Sequence, residues 1–503
     1  MAYILVLDQG TTSSRSTIYN EKGDKLALVQ EEFKQYYPKA GWWEQKPEDI
    51  WQSILNTAKQ AISKAGISAN EISALGITNQ RETTVIWDKK TGTPVTNAIV
   101  WGCRRTSDIC KGLMADQRAD LVNPKTGLVI DATYSASKIR WIMDNVDGVR
   151  ERAEKGELLF GTVDTWLIWN LTGGRVHATD YSNASRTMLF NVKEGVWDEE
   201  LIEFLDVPKN IFPEVKSSVG LFGECDPGLF GAPIKIAGVA GDQHAALFGQ
   251  VCFEPGDAKN TYGTSNVPMM YIGNEPIHSE KGLLSLAWHM DNEISYCMGA
   301  SILTTGSAVQ WLRDGIKIVK SSSQTEELAK SVEDTLGVYF VPAFSGLAAP
   351  HWDMDARGMI IGLTAGVNEA HIARATLESI AYQTRDLLDE MERESGVKLN
   401  VLKVDGGATV NDYLMQFQAD ILNCVVERPQ DIETTSLGAA YMAGLGVGVW
   451  SSKEELKEIW KVDQRFYPHM DEAKREELYA GWKRAVKFAK GWLDTSKSTN
   501  DKS

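Results

Sequence analysis

The opening of the chain is its strongest constraint. A short apolar run, Tyr3 to Leu7, suits a strand buried on both faces, and it ends in Asp8 and a polar turn, Gly10-Thr11-Thr12-Ser13-Ser14-Arg15. Another strand-like stretch, Ser16 to Tyr19, follows at once, and a third runs from Lys25 to Gln30 beyond a turn at Asn20 to Asp24. This glycine turn therefore joins strand to strand. A Walker loop joins strand to helix and needs GxxxxGK[ST], which occurs nowhere in the sequence, so that nucleotide fold is disfavoured. About half a chain later the arrangement returns: Gly263-Thr264-Ser265-Asn266 sits between the strand-like Ala258 to Tyr262 and an apolar stretch through Met269 to Ile272. A repeat at that spacing predicts two domains built on one plan.

Amphipathic segments at Pro47 to Lys64, His371 to Ser395 and Asp471 to Trp492 alternate with the strands and place both halves in the α/β class. The expected boundary lies near Gly249 to Gly256, giving domains 1–250 and 251–503, with a C-terminal helix and a polar tail, TSKSTNDKS, expected to fray. Composition narrows the partners. With 52 Lys plus Arg against 68 Asp plus Glu, the net charge of −16 repels polyphosphate backbones, which disfavours nucleic acid as the main partner and makes any phosphate handling local. The six cysteines, Cys103, Cys110, Cys225, Cys252, Cys297 and Cys424, form no CxxC pair, and the seven histidines show no HExxH, so neither a disulfide framework nor a zinc site is expected. The first residues carry no basic leader and no window approaches a membrane span, so the expectation is a soluble, cytoplasmic protein without a membrane partner.

Four clusters could carry chemistry. DQGTTSSR offers one glycine, four hydroxyls and an arginine within one turn, which suits a phosphate cradle as well as a hydrogen-bonded turn, and Asp8 at a strand end calls for Mg²⁺ or a backbone donor. GVAGDQHAALFG, Gly238 to Gly249, places Asp242 and Gln243 at the start of a helical stretch, where Asp242 could cap the helix or accept a hydroxyl proton. In ITNQRETTVIWD, Gln80, Arg81 and Glu82 interrupt apolar flanks, either as solvated charges of a hairpin or as donor and acceptor to neighbouring hydroxyls of a polyol, with Trp101 of VWGCRRT covering its carbon chain. VDGGATVN, Val404 to Asn411, is a strand ending in paired glycines that would let a flat ring approach the backbone.

These clusters, in this order, resemble the FGGY carbohydrate kinases from Tyr3 to Trp492, together with FGTVDTWLIWNLTGGRVHATDYSNASRTMLFN (Phe160 to Asn191), NTYGT (Asn260 to Thr264), QWLRD (Gln310 to Asp314) and ATLESIAYQTRD (Ala375 to Asp386). The resemblance implies two actin-like (RNase H-like) domains with a central ATP/substrate cleft, and phosphorylation of a primary hydroxyl of glycerol by ATP. It casts Asp242 as the general base and Asp8, with Asp242, as Mg²⁺ carboxylates. Arg81, Glu82, Trp101, Asp242 and Gln243 would contact the polyol, with Thr133, Tyr134 and Val267 as pocket wall. Thr11, Thr12, Ser13, Arg15, Thr264 and Gly306 would serve the phosphates, and Gly407 and Asn411 the adenosine. It also makes a homodimer or tetramer plausible.

Several positions depart from the pattern of members that phosphorylate glycerol. Thr133 stands where they carry a tyrosine, Ser265, Asn266 and Val267 where Gly-Cys-Phe is usual, Gly102 for glutamine, and Ala348 and His351 within GLGAPYWD. Fewer aromatic walls and added polar groups predict either a pocket that admits a longer or cyclic polyol, or one in which Tyr134 takes the missing place and glycerol remains the substrate. The glycine-rich, lysine-containing inhibitor loop of bacterial members has no counterpart in Asp226 to Pro233. A non-enzymatic actin-like ATPase or a sugar sensor is the other class to weigh, but NQRET with AGDQ supplies an acceptor pocket that neither needs.

Overall fold

The computed structural model describes residues 2–493, so the polar tail expected to fray lies outside the described residues. The chain divides into two compact units. Among the described residues the first comprises residues 2–253, 273–297 and 434–460, and the second residues 254–272, 298–433 and 461–493.

The first unit is built on a six-stranded sheet in the order Val219–Glu224, Lys235–Gly241, Ile72–Asn79, Tyr3–Gln9, Ser13–Asn20, Lys25–Glu32. Tyr3–Gln9 pairs antiparallel with Ser13–Asn20 and parallel with Ile72–Asn79, which pairs parallel with Lys235–Gly241. The strand-to-strand turn expected from the glycine is present, closed by Gly10 N–H donating to Ser13 C=O at 3.0 Å. Ile4 to Leu7 are at most 1% exposed, as a run of unbroken hydrophobicity requires of a central strand covered on both faces. Helix Pro47–Ala65, with Pro47 in its first turn and Gly66 left-handed beyond its end, covers one face and packs Ile50, Ile54 and Ala58 into the core.

The other face is closed by a helix from near the end of the chain, Thr434–Val447, and small residues make that contact possible. A Cβ on Gly76 would lie 2.4 Å from Ala439 C=O, and one on Gly238 would lie 2.3 Å from Ala443 N, so only glycine lets the helix rest with its backbone against the strands. The same helix runs beside Asp242–Gly249 and brings Ser436 to Asp8.

The second unit repeats the plan. Asp257–Tyr262 pairs antiparallel with Asn266–Gly273 and parallel with Val401–Asp405, which continues through Val425–Pro429 to Val462–Phe466. Helix Glu369–Ser395 opens on a capping box at Asn368, and Asp412–Leu422 follows the paired glycines. The half-chain repeat is thus a repeat of topology: antiparallel hairpin first, parallel neighbour second. Among the described residues no helix is long and apolar enough to cross a membrane.

Candidate active site

Three parallel strands of the first unit end in register. Gln9, Asn79 and Gly241 lie side by side, so the residues that follow, Gly10, Gln80 with Arg81, and Asp242, leave the sheet at one edge, the carboxyl ends of the strands, where ligands of such sheets collect. Gln80 knits this edge together: its N–H donates to Gln9 C=O at 2.7 Å, its amide to Gly10 C=O at 3.2 Å and to Gln45 Oε1 at 2.9 Å, and its own Oε1 accepts from Thr83 Oγ1 at 2.9 Å.

Asp242 is the first residue of helix Asp242–Gly249, with Gly241 in the capping position. Arg81 Nε lies 3.0 Å from Asp242 Oδ1, and Gln243 N–H donates to the same oxygen at 2.7 Å. Both contacts fall on Oδ1. The side chain is 29% exposed, enough to meet a ligand. Arg81 reaches it across bare backbone, since a Cβ on Gly241 would stand 2.7 Å from Arg81 Cγ and Cδ.

Glu82 is 4% exposed, with its backbone in the left-handed region at φ 61°, and its Oε1 accepts from Arg186 Nε at 2.7 Å. The solvated hairpin weighed for this stretch does not form: Ile72–Asn79 belongs to the main sheet and Val85–Asp88 pairs instead with Leu158–Gly161. The guanidinium of Arg186 also lies over the ring of Tyr134, 5.1 Å from its centre. The sequence alone gives Arg186 no role, although it closes the DYSNASR stretch; nothing short of the fold links it to a glutamate 104 residues earlier.

Tyr134 is 6% exposed and belongs to the same buried cluster as Ile86, Ile99 and Ile139, while burial pushes its phenol up. Its neighbour Thr133 is half-buried, and its N–H and Oγ1 both donate to Asp131 Oδ1, at 2.8 and 2.5 Å. Arg104 grips the same carboxylate at 2.9 and 3.2 Å. Burial alone would raise the Asp131 pKa, but Arg104 and Thr133 outweigh it and hold the carboxyl below its usual range. Trp101 is 38% exposed and donates its indole N–H to Thr11 Oγ1 at 3.0 Å. Trp43 lies against it with ring centres 5.8 Å apart, and a side chain on Gly102 would meet Trp43 at 2.9 Å, so the glycine at this departure leaves space for that buttress.

Around the first turn, Ser13 Oγ accepts from Gln30 Nε2 at 3.0 Å, Arg15 donates to Gln30 Oε1 at 3.3 Å, and Thr12 is exposed. Asp8, half-buried, faces Arg15 across the hairpin and accepts from Ser436 Oγ at 3.2 Å. Among the described residues no three or more His, Cys, Asp and Glu side chains gather as a metal cage. Mg²⁺ that arrives on nucleotide phosphates keeps several waters and needs only one or two protein carboxylates, which Asp8 and Asp242 can supply.

In the second unit, Thr264 is exposed on a turn held by Thr305, Gly306 and Ser307: Gly306 N–H donates to Gly263 C=O at 3.1 Å, and Ser307 N–H and Oγ each donate to Thr264 C=O at 3.1 Å. A Cβ on Gly306 would sit 2.3 Å from Gly263 C=O, so the two turns close only with glycine there. The paired glycines divide their duties. Gly406, at φ 90°, would otherwise strike Tyr262 backbone at 2.5 Å, whereas Gly407 has nothing within 4 Å of its missing Cβ and presents an open face. Asn411 is buried and caps helix Asp412–Leu422 through Leu414 N–H at 2.9 Å. Val267 is half-buried in the strand Asn266–Gly273, and His351 lies 3.0 Å from Asp386, which also accepts from Tyr479 and Trp482.

Models of the FGGY family of carbohydrate kinases match residues 3–249 as N-terminal domain and 258–447 as C-terminal domain. The chain belongs to that family. Its relatives include a glycerol kinase of Caldanaerobacter subterraneus subsp. tengcongensis, 58% identical over 493 residues (98% of this chain and 99% of that one), and glycerol kinase 2 of Thermotoga maritima, 57% identical over the same shares. Among solved structures, Plasmodium falciparum glycerol kinase with ADP matches with a TM-score of 0.93 and 35% identity, covering 97% of this chain and 98% of that one. Xylulose kinase of Lactobacillus acidophilus, 21% identical over 98% of this chain and 100% of its own with a TM-score of 0.88, shares the fold. The mixed sheets and the repeated hairpin-plus-parallel-strand plan are those of an FGGY kinase, the actin-like architecture expected from the sequence.

Proposed function

We propose that this FGGY kinase transfers the terminal phosphoryl group of ATP to a primary hydroxyl of glycerol, giving glycerol 3-phosphate and ADP. One observation carries the reading: Asp242 stands at the carboxyl edge of the sheet with Arg81 and Gln243 both engaged on Oδ1, which leaves Oδ2 to take the proton of an attacking hydroxyl. The glycerol kinases to which the chain is 57% and 58% identical support glycerol as the acceptor, and the relative solved with ADP supports an adenine nucleotide as donor.

In that reaction the hydroxyl oxygen forms a bond to the γ-phosphorus, the bond to the bridging oxygen breaks, the proton passes to Asp242, and ADP leaves. The transition state is loose, so the protein contributes alignment and charge compensation more than covalent chemistry. Arg81, Glu82, Trp101 and Gln243 would hold the polyol, with Glu82 fixed by Arg186 and Trp101 fixed by Thr11 and Trp43. Thr133 and Tyr134 would form wall, as would Val267. Thr11, Thr12, Ser13, Arg15, Thr264 and Gly306 would receive the phosphates, and the open face of Gly407, beside Asn411, the adenine. Mg²⁺ would be held by Asp8, with Asp242 as second carboxylate, and when bound neutralises phosphate charge. A cytoplasmic setting, supported by six buried free thiols, and a dimeric or tetrameric state, supported by the resemblance, complete the proposal.

The test is polyol-dependent release of ADP. Asp242→Asn is expected to lower turnover by at least about a hundredfold with ATP binding retained, as loss of a general base requires. Near-normal turnover would assign Asp242 to the helix start alone.

A longer polyol is the second reading, favoured by the short side chain of Thr133 and the Asp131 and Arg104 pair beside it.

A further inference from the structure

Asp180 touches none of the groups proposed to meet substrate, yet two chains of hydrogen bonds lead from it to the two strand ends that carry Arg81 and Asp242. It is fully buried in the first unit, at the start of the short helix Tyr181–Ala184. Its carboxylate accepts five hydrogen bonds, all from neutral groups: Ser182 N–H at 2.9 Å, Ser182 Oγ at 3.0 Å, Asn183 N–H at 2.9 Å, Asn183 Nδ2 at 2.8 Å and Ser218 Oγ at 2.8 Å. A buried carboxylate satisfied only by neutral donors is costly, and capping a helix of four residues is small return for it.

What those donors do next is informative. Ser182 Oγ, oriented by donating to Asp180, accepts from Gly241 N–H at 2.9 Å, the residue directly before Asp242. Asn183, oriented by the same carboxylate, exchanges hydrogen bonds with Asn79 at 2.9 and 3.1 Å, and Asn79 Nδ2 donates to Gln80 C=O at 2.9 Å, the residue directly before Arg81. Gln80 in turn reaches Gly10 of the first turn. One carboxylate therefore holds two backbone positions, Gly241 and Gln80, each one residue before a side chain of the pair Asp242 and Arg81, which lie 3.0 Å apart.

We infer that Asp180 is a positioning residue for phosphoryl transfer, acting through Ser182 on Asp242 and through Asn183 and Asn79 on Arg81. The inference rests on the reading of Asp242 as general base. Removing the Ser182 link frees Gly241 N–H and lets Asp242 turn away from the acceptor hydroxyl, while the cap made by Asp180 and the rest of the sheet stay in place. Loss of rate then appears in kcat, without a matching change in the KM for ATP.

The experiment is a double-mutant cycle on the full chain, with Ser182→Ala and Asp242→Asn singly and together, kcat and both KM values measured with glycerol and ATP, and thermal unfolding followed for each variant. The expected result is a fall in kcat of about tenfold or more for Ser182→Ala with the ATP KM unchanged, recovery of most of it by Ser182→Thr, and a change within about twofold when Ser182→Ala is added to Asp242→Asn, because groups acting as a unit are not additive. Equal factors in both backgrounds, or normal kcat in Ser182→Ala, would overturn the tether. Ser182→Cys serves as the isosteric variant if alanine lowers the yield of folded protein. Absence of polyol-dependent ADP release from the unmodified chain would instead overturn the proposed reaction itself.

Discussion

Gly241→Ala is the most economical way to disturb the pair at the centre of the site. Gly241 has φ −59° and ψ 148°, a conformation open to any residue, so alanine introduces no backbone strain. Its methyl would, however, lie 2.7 Å from Arg81 Cγ and Cδ and 3.2 Å from His244 Nδ1. Carbon atoms settle at about 3.5–4.0 Å, so the Arg81 stem must retreat by about 1 Å, and the contact of Nε with Asp242 opens with it. A displacement of that size in a reacting geometry costs on the order of 10²-fold in rate. The effect on stability is smaller and mixed. Crowding costs about 1–3 kcal/mol, and the reduced freedom of the unfolded chain returns about 0.4–1 kcal/mol. Steady-state kcat with glycerol and ATP, read beside a thermal unfolding midpoint, separates the two. The expectation is a loss of rate of about a hundredfold with a midpoint lowered by a few degrees at most. A variant with unchanged kcat would refute the reasoning, because it would show that Arg81 need not lie on bare backbone to serve Asp242.

The fully buried Lys138 donates to Thr133 C=O and to Tyr134 C=O at 3.2 Å, and burial pulls its pKa down from 10.5 to about 8. With the folded value below the unfolded one, its contribution to stability is fully present above pH 10.5 and lost as the pH falls to about 8. Lys138→Met is therefore expected to remove a pH-dependent contribution of about 3 kcal/mol across that window, measured by urea unfolding at several pH values; parallel curves for the two proteins would contradict it. For substrate breadth, glycerol, a tetritol, a pentitol and an inositol compared by kcat/KM test whether Thr133, Asp131 and Arg104 read an added hydroxyl. Each lost or added contact of methylene size is worth about 1–3 kcal/mol, so a preference for glycerol greater than about 200-fold would end the idea of a longer acceptor.

Much of the fold was open to sequence reasoning because its signals are local. The unbroken apolar run Tyr3 to Leu7, the glycine turn behind it and the same pair near Gly263 predict hairpins, and both are present. The amphipathic pattern from Pro47 to Lys64 predicts a helix, and one runs Pro47–Ala65. What local signals could not show is where Thr434–Val447 goes. It is a helix with apolar residues on every side, and such a pattern says that it is buried without saying against what. Its partner surface is made by Gly76 and Gly238, whose lack of a side chain carries no periodicity at all. Domain membership of that segment is therefore a property of packing.

The same division runs through the candidate site. Arg81, Glu82 and Asp242 stand out in sequence because charged residues interrupt apolar flanks at strand ends, a place where a carboxylate or guanidinium needs a reason. Asp180, Ser182, Asn183 and Arg186 form a polar run that looks like a surface turn, yet Asp180, Ser182 and Asn183 are fully buried. Their partners lie 104 residues away at Asn79, 104 away at Glu82 and 59 away at Gly241. A hydrogen bond across such separations leaves no pattern in the sequence, because any of several polar residue types could make it and loop closure at that length costs little more than at half of it. The groups proposed to meet substrate are recognisable by type, whereas the groups proposed to aim them are recognisable only by address. Asp180 shows why this matters: a buried carboxylate that accepts five hydrogen bonds from neutral groups acquires meaning only when its donors are followed to Gly241 and Gln80, one residue short of the two side chains that lie 3.0 Å apart.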